Sequence, residues 1–215
     1  MSKEYRASGT RDDRPTGNAK FLARRNEIVD LAAELFARNG YAATGIRELG
    51  EAASLARGAL YYYIGSKESL LSEIHDRVMD PLLEETNRIS GLDASAEARI
   101  RMISDVLLHQ VCERHDHVWV FLHEYRALVG ERRETFRRKR AHFEDSLAAL
   151  FSAGVADGEF EIDNIQLTML AFLSMHNYTY QWIRRSHSLD PSALSKLYCD
   201  IFFVGVASRG RAARG

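Results

Sequence analysis

The spacing of hydrophobic residues along this chain predicts α-helices over most of its length. Apolar positions recur every three or four residues in successive segments, and no segment has the strict alternation that is typical of a half-buried strand. The first segment, from Ala23 to Asn39, is predicted to be a helix that Gly40 ends. Its buried face would consist of Ile28, Leu31, Ala32, Leu35 and Phe36. The predicted fold class is therefore all-α.

Six longer segments with the same period follow toward the carboxyl end. They predict helices from Ser66 to about Met79, from Ser95 through Val111, from Val118 through Leu128, from Phe136 to about Gly154, from Ile165 to about Arg185 and from Pro191 through Val206. Pro81 is expected to bend or restart the first of them, because proline has no N–H to donate within a helix. Asp163 and Asp190 are expected to cap the last two.

Between residues 44 and 70 the apolar pattern is divided into shorter pieces. A first short helix has an apolar face made of Ile46, Leu49 and Ala53. We expect the Thr44 hydroxyl to cap this helix and Leu55 to be buried under the turn that follows it. A second short helix runs from Arg57 to Tyr63, and Ser66 is placed to cap the next helix. Two short helices around a tight turn predict a helix-turn-helix, whose second helix enters the DNA major groove.

The second short helix has side chains that suit DNA contact. Gly58 and Ala59 are small enough to let the backbone approach a duplex closely. The three consecutive tyrosines at 61–63 offer hydroxyls to phosphates or base edges, and Arg57 and Lys67 supply charge at opposite ends. The alternative is an ordinary helical hairpin with its tyrosines in a core. Successive helical residues are about 100° apart, so at least one tyrosine must face solvent or a partner.

Composition limits the cellular compartment and the partners expected for this helical chain. It has 215 residues, of which 46% are hydrophobic, and its formal net charge is −1. No apolar run approaches the ~20 residues of a membrane span, and no stretch resembles a signal peptide. Cys112 and Cys199 lack metal-ligand spacing, so we expect free thiols in a cytoplasmic protein. Residues 1–67 hold 11 Lys and Arg against 8 Asp and Glu, whereas the remainder is net negative, which favours a DNA-binding amino-terminal part.

Four ordered motifs give the chain a resemblance to a known family. The segments AAELFARNGY at 32–41, TGIREL at 44–49, ARGALYYY at 56–63 and SKESL at 66–70 resemble the DNA-binding domain of the TetR (tetracycline-repressor-like) transcriptional regulators. The family usually has glycine at the position of Ser54 and phenylalanine at that of Ile64. Ser54 must then adopt a turn conformation that suits glycine better.

This resemblance implies about nine helices in two functional parts. Residues 1–20 would be a disordered arm, 21–66 the helix-turn-helix domain, 67–208 a helical domain for ligand binding and dimerisation, and 209–215 a tail. The expected partner is double-stranded DNA with a palindromic operator. The residues expected to contact it are Thr44, Arg47, Ala56, Arg57, Gly58, Ala59, Tyr61, Tyr62, Tyr63 and Lys67.

The last predicted helix points to a homodimer. A single recognition helix reads few base pairs, so such proteins pair to read two half-sites about one helical turn (~34 Å) apart. The segment from Ile201 to Val206 is apolar nearly all round. It is either a buried core helix or part of a dimer surface, and the resemblance favours a four-helix interface.

The resemblance also implies a small-molecule effector. The segments HEYRAL at 123–128 and LSMHNYTYQWIRR at 173–185 resemble a subgroup in which several members respond to acyl-CoA thioesters of fatty-acid, steroid or aromatic-acid breakdown. An apolar cavity for the acyl part, arginines for the phosphates and an aromatic ring for adenine would suit such a ligand. The expected ligand-binding residues are Phe121, Leu122, Tyr125, Arg126, Leu173, Asn177, Tyr180, Trp182, Arg184 and Arg185. The alternatives are another hydrophobic small molecule, such as a drug, and a purely structural role for these residues.

Other candidate chemistry is weaker. The histidines at 109, 115, 117 and 123 lack the i, i+4 spacing that metal sites favour, so no metal is expected. The basic run from Arg132 to Arg140 is expected to be a solvated helix face, with phosphate contact as the alternative. The chain contains no nucleophile elbow, phosphate-binding glycine loop or zinc-hydrolase motif. We therefore expect neither an enzyme nor a permanent cofactor, with a helical interaction protein as the competing class.

Overall fold

The computed structural model describes residues 17–183 and 189–206 of the chain. Within these residues the fold is all-α, as predicted, with nine α-helices and two short 3-10 helices. The α-helices are α1 (Gly17–Asn39), α2 (Ile46–Ala52), α3 (Arg57–Ile64), α4 (Lys67–Ser90), α5 (Ala96–Glu113), α6 (His115–His123), α7 (Gly130–Ala156), α8 (Ile165–Tyr178) and α9 (Pro191–Val206). The 3-10 helices are Tyr125–Ala127 and Thr179–Gln181.

The amino-terminal unit packs α1, α2 and α3 around one hydrophobic cluster, which the first half of α4 completes. Phe36 and Leu60 are fully buried at its centre. Helix α1 begins at Gly17 instead of Ala23, so the last residues of the predicted arm are helical. The rest of that arm and the predicted tail lie outside the described residues.

Helix boundaries agree with the predicted caps in two places. The Ser66 hydroxyl accepts the N–H of Ser69, and Asp190 accepts the amides at the start of α9. The Ser95 hydroxyl, which was not predicted as a cap, accepts the N–H of Ala98 at the start of α5. Two expectations were wrong. Helix α4 does not end near Met79 or restart at Pro81 but continues to Ser90, and α8 is capped by Asn164 instead of Asp163 and ends at Tyr178.

The carboxyl-terminal unit is a helical bundle in which α4 and α7 run in the same direction. Arg132 of α7 bonds Ser69 of α4 at 2.8 Å, and seven residues further along both helices Lys139 bonds Asp76 at 2.6 Å. Of the three hydrophobic clusters in the described residues, Phe121 of α6 packs against every one. No described helix is long and apolar enough to cross a membrane.

A buried chain of hydrogen bonds joins three helices of this bundle. Ser195 of α9 donates to Ser104 of α5 at 2.8 Å, and Ser104 donates to Nε2 of His176 in α8 at 2.7 Å. The Nδ1–H of His176 donates to the Phe172 carbonyl at 2.7 Å. Burial lowers the pKa of His176 to about 4, so its ring is neutral and the chain is satisfied without a charge.

Candidate DNA-binding and effector-binding sites

The turn between α2 and α3 depends on two unusual backbone positions. Ser54 has a φ of 53°, in the left-handed region that glycine adopts more easily, as the sequence predicted. Gly50 lies so close to the chain beyond the turn that a Cβ there would be 2.9 Å from the Leu55 carbonyl oxygen. Leu60 and Ile64 bury the inner face of α3. The turn and these two buried residues hold α3 in an orientation that leaves its opposite face open to solvent.

The outer face of α3 is open to solvent. Tyr62 is 71% exposed, and Ala56, Arg57, Gly58 and Ala59 are also exposed. The Arg57 guanidinium lies 5.7 Å from the centre of the Tyr61 ring. The arrangement offers a phenol, a guanidinium and two small residues side by side, which is the chemistry that base edges and phosphates require.

The other two tyrosines of α3 are only partly accessible. Tyr61 and Tyr63 are half-buried. Tyr63 stacks on Phe21 of α1 with ring centres 5.1 Å apart, and its carbonyl accepts a hydrogen bond from Arg25. Phe21 was missed by the sequence reasoning because helix α1 was predicted to begin after it. Tyr62 is thus the phenol that faces outward.

Two further predicted DNA contacts occupy more enclosed positions. Thr44 is fully buried and donates to the Gly40 carbonyl at 2.9 Å, and the α2 cap position is Gly45. The prediction that Thr44 caps α2 was therefore wrong, and its side chain does not reach the surface.

Lys67 is also partly enclosed. Its Nζ donates to the Tyr41 carbonyl at 2.5 Å and lies 4.2 Å from the centre of the Tyr41 ring. Burial lowers the pKa of Lys67. Arg47 is exposed beside Glu51, 3.0 Å away.

Helix α6 connects the helix-turn-helix unit to the bundle. Glu124, at its end, accepts the backbone N–H of Tyr41 at 3.0 Å. Near its start His117 lies 3.2 Å from Asp30 of α1, and Arg77 of α4 pairs with the same carboxylate at 3.0 Å. Burial lowers the pKa of His117, which Asp30 partly opposes. These links join residues far apart in sequence, so no local pattern indicated them.

A cavity of about 150 Å³ lies in the bundle between α4, α5, α6, α7 and α8. Four of the predicted ligand-binding residues line it, namely Phe121, Leu122, Leu173 and Asn177. Its polar lining includes Arg140 and Glu144 of α7, which pair at 2.8 Å, together with Gln110 and Ser174. The sequence reasoning had placed Arg140 in a basic run without connecting it to a cavity.

The remaining predicted ligand-binding residues lie elsewhere. Helix α6 ends at His123, and the following turn carries Tyr125 onto Phe136 with ring centres 6.0 Å apart and leaves Arg126 exposed. Tyr180 hydrogen-bonds His123 at 2.9 Å. Trp182 packs against the hydrophobic cluster of Val78, Val111 and Val118, but it is not among the residues that line the cavity. None of these four lines the cavity, because α6 and α8 both end sooner than predicted. Arg184 and Arg185 lie outside the described residues.

The histidines that raised the question of a metal are engaged with neighbours. His109 bonds the Asp105 carbonyl at 2.9 Å, and His115 bonds the Tyr180 carbonyl at 2.8 Å. His117 and His123 have the partners given above. In the part of the chain that the structure describes, no three His, Cys, Asp or Glu residues are grouped to hold a metal ion.

Helices α8 and α9 expose apolar side chains that a monomer would normally bury. Ile201 is 60% exposed and Val204 is 82% exposed. Phe203 is buried, so α9 has one core face and one open apolar face. The other exposed apolar residues of the two helices are Leu167, Leu170, Tyr178 and Leu197.

A helix-turn-helix with an exposed second helix, joined to a helical bundle that contains a cavity, is the architecture of a ligand-responsive transcription regulator. Comparison with known proteins agrees, since residues 28–74 match the bacterial regulatory proteins of the tetR family and residues 93–206 match the tetracyclin repressor-like C-terminal domain. The chain belongs to the tetR family.

Individual relatives cover nearly the whole chain. The HTH-type transcriptional repressor KstR2 of Rhodococcus jostii strain RHA1 is 30% identical over 189 residues, which is 86% of this chain and 92% of the relative. The structure of the ketosteroid regulator KstR2 of Mycobacterium tuberculosis has a TM-score of 0.80 at 22% identity, over 86% of this chain and 95% of that one. The structure of AibR with isovaleryl coenzyme A and operator DNA has a TM-score of 0.74 at 25% identity, over 84% and 98%.

Proposed function

We propose that this protein is a cytoplasmic repressor that binds a palindromic operator as a homodimer and leaves it when an acyl-CoA thioester occupies the bundle cavity. The observation that carries the effector proposal is the cavity itself, with its apolar wall and its polar side at Arg140, Glu144 and Asn177. An acyl group suits the apolar wall, and a thioester carbonyl or the adjoining amides suit the polar side. The isovaleryl-CoA complex of AibR supports this effector class.

The cavity volume favours a short acyl group. At about 150 Å³ it is smaller than typical ligand pockets of about 300–1,000 Å³. A short branched acyl chain fits this volume better than a steroid or a long chain, for which the cavity would have to enlarge. The alternative effector, another hydrophobic small molecule without CoA, would use the apolar wall alone. The protein itself acts by binding and catalyses no reaction in either case.

Release from DNA requires the effector to favour one conformation strongly. Moving a population from 99:1 to 1:99 needs about 5.5 kcal/mol of differential binding. Phe121 and Leu122 belong to α6, which also contacts the helix-turn-helix unit through Glu124 and His117. Displacing α6 from the cavity side therefore changes how the DNA-binding unit is held.

Thermal unfolding in the presence of isovaleryl-CoA, isovalerate and coenzyme A tests the effector proposal. At a concentration about 100 times its dissociation constant, a ligand of the folded state adds about 2.7 kcal/mol, so the thioester should raise the melting temperature by several degrees. Ser174→Trp, which fills the cavity from its exposed side, should abolish this shift, and Ser152→Trp on the exposed surface of α7 should keep it. Stabilisation by isovalerate alone would eliminate a CoA thioester as the effector.

Operator binding is tested separately by gel mobility shift with DNA from the promoter region of the protein's own gene. The wild-type protein should retard this DNA at low salt, and isovaleryl-CoA should reverse the shift. Absence of any retardation would instead support a helical interaction protein.

A further inference from the structure

The amino-terminal end of α7 carries a dense group of positive charges in the bundle domain. Residues 126–140 contain seven Arg and Lys against two Glu, although the chain beyond residue 67 is net negative. Arg132, Arg133 and Arg137 are all exposed. We call these three residues the basic end of α7.

The guanidinium groups at this end have no carboxylate partners. Elsewhere on the surface an arginine commonly pairs with a glutamate three or four residues away, as Arg38, Arg47 and Arg88 do. Among the described residues no Asp or Glu oxygen lies within 4 Å of a guanidinium nitrogen of the basic end, and the one hydrogen bond these side chains make is from Arg132 to the neutral Ser69 hydroxyl. Their charge is therefore available to an external anion.

The basic end lies beside the DNA-binding surface. Arg132 donates to the Ser69 hydroxyl at 2.8 Å, and the Ser69 hydroxyl lies 3.0 Å from that of Ser66, the cap of α4. Lys67 follows directly, and only Gly65 and Ser66 separate it from α3. The Arg132 charge is close enough to contribute to lowering the pKa of Glu68, after the hydrogen bonds at the cap. Arg132 and Arg133 therefore lie near the start of α4, where Lys67 and the exposed carboxylate of Glu68 are also found.

We propose that the basic end of α7 binds the phosphate backbone of the operator next to the start of α4, as a DNA contact made by the bundle domain. The inference rests on the DNA-binding function of the helix-turn-helix. Duplex DNA carries one charge per about 1.7 Å of its axis, so phosphates extend beyond the groove that α3 enters. Because Arg132 and Arg133 belong to the bundle domain, this contact holds only while α7 stays beside α4.

A DNA partner fits the basic end better than the phosphates of an effector. The arginine that lines the cavity is Arg140, and Glu144 already pairs with it. Arg132 and Arg140 are eight residues apart, or about 12 Å along the helix. Arg132 points to the start of α4 through Ser69, away from the cavity. Binding of effector phosphates by the basic end is the alternative that the following test distinguishes from DNA binding.

The test compares the salt dependence of DNA binding by the full-length wild type and Arg132→Gln/Arg133→Gln. Fluorescence anisotropy with the operator duplex, first located by footprinting, gives the slope of log affinity against log salt. Each phosphate contact that is lost should reduce this slope by about 0.9, and a symmetric dimer loses contacts in pairs. The variant should also bind a scrambled duplex more weakly by the same factor, because phosphates carry no sequence information.

Arg88→Gln/Arg114→Gln is the matched control, since it removes the same charge from the far end of α4 and from the exposed junction of α5 and α6. Its slope should equal that of the wild type. The proposal is overturned if the two double variants change the slope equally, or if the Arg132/Arg133 variant leaves it unchanged. An unchanged slope combined with weaker thermal stabilisation by isovaleryl-CoA would assign the basic end to the effector. Failure of the wild type to bind DNA would instead contradict the regulator function.

Discussion

Tyr62 is the residue through which α3 is best placed to read sequence, because its phenol is open while its two neighbours are partly enclosed. We predict that Tyr62→Ala weakens operator binding by about tenfold, within the about 1–3 kcal/mol of a base contact, and relaxes base preference. Arg57→Ala should act in the same way. Competition between the operator and single-base variants measures the preference.

The matched comparison is Tyr63→Phe, which removes a hydroxyl but keeps the stack on Phe21. We expect it, like Lys67→Ala, to weaken binding evenly across sequences, as phosphate contacts do. If all these variants lost base preference equally, the division between reading and positioning residues would be wrong.

Ser54 carries a backbone conformation that costs an L-residue about 1–2 kcal/mol. Ser54→Gly should therefore raise the free energy of unfolding by about 0.5–1 kcal/mol, after allowing for the greater freedom of glycine in the unfolded chain. Denaturant unfolding measures the change. Ala59→Gly, inside α3, should lower the stability instead, because glycine gains freedom in the unfolded chain and relieves no strain there. A loss of stability in Ser54→Gly would contradict this account.

For individual residues, the sequence predicted backbone conformation better than it predicted which side chains are exposed. The strained turn at Ser54 followed from one departure from the family pattern. Helical geometry required at least one outward tyrosine but did not identify Tyr62 as that residue. The burial of Thr44 did not, because a hydroxyl that caps a helix and one that bonds a neighbouring carbonyl read alike in a sequence.

The helices themselves were predictable from apolar spacing, and their ends less so. Pro81 remains inside α4 because burial of Met79 and Leu82 on either side holds the helix together despite the lost bond. Residues beyond Tyr178 keep an apolar spacing but turn away from the axis of α8. For this reason Tyr180 and Trp182 were expected at a cavity that they do not reach.

We predict that dimerisation depends on the open apolar face of α9. Val204→Glu should leave the fold intact, because this side chain is 82% exposed in one chain, but should prevent pairing by placing a charge in an apolar interface. Analytical ultracentrifugation should find a monomer that binds the operator more than tenfold less tightly. Arg88→Glu, on α4, should remain a dimer. A dimeric Val204→Glu would place the interface elsewhere.

The hydrogen-bonded chain across α5, α8 and α9 makes stability depend on pH. In the folded protein the pKa of His176 is about 4, whereas the unfolded ring titrates near its ordinary value of 6.5. The unfolded state therefore binds more protons in this window, and stability is lost as pH falls from about 6.5 to about 4, by up to about 3 kcal/mol.

Denaturant unfolding at several pH values between 4 and 7 tests this dependence. His176→Gln should lower stability at pH 7 and flatten the curve, whereas the exposed variant His142→Gln should keep the wild-type slope. His75 and His117 also have lowered pKa values through burial, so part of the slope should remain in the His176 variant. Equal slopes for all three proteins would show that His176 is not responsible.

At the scale of the whole molecule, the link between the two units was beyond sequence reasoning. Tyr41 and Glu124 are 83 positions apart, and neither belongs to a motif that specifies the other. Glu124→Ala should leave the Tyr41 amide without its acceptor. Hydrogen exchange of the peptide spanning residues 40–44 should then be faster than in the wild type, with Glu131→Ala as the surface control. Unchanged exchange would mean that this bond does not hold the DNA-binding unit.

Phe121 is a single ring shared by every hydrophobic cluster of the described structure. A ligand that displaces this ring would disturb the packing of the helix-turn-helix unit and of the bundle together, because protein interiors are close-packed. Phe121 thus both lines the cavity and packs against the hydrophobic cluster of the DNA-binding unit. A metabolite bound in this cavity of about 150 Å³ would therefore alter the packing around Phe121 in both units.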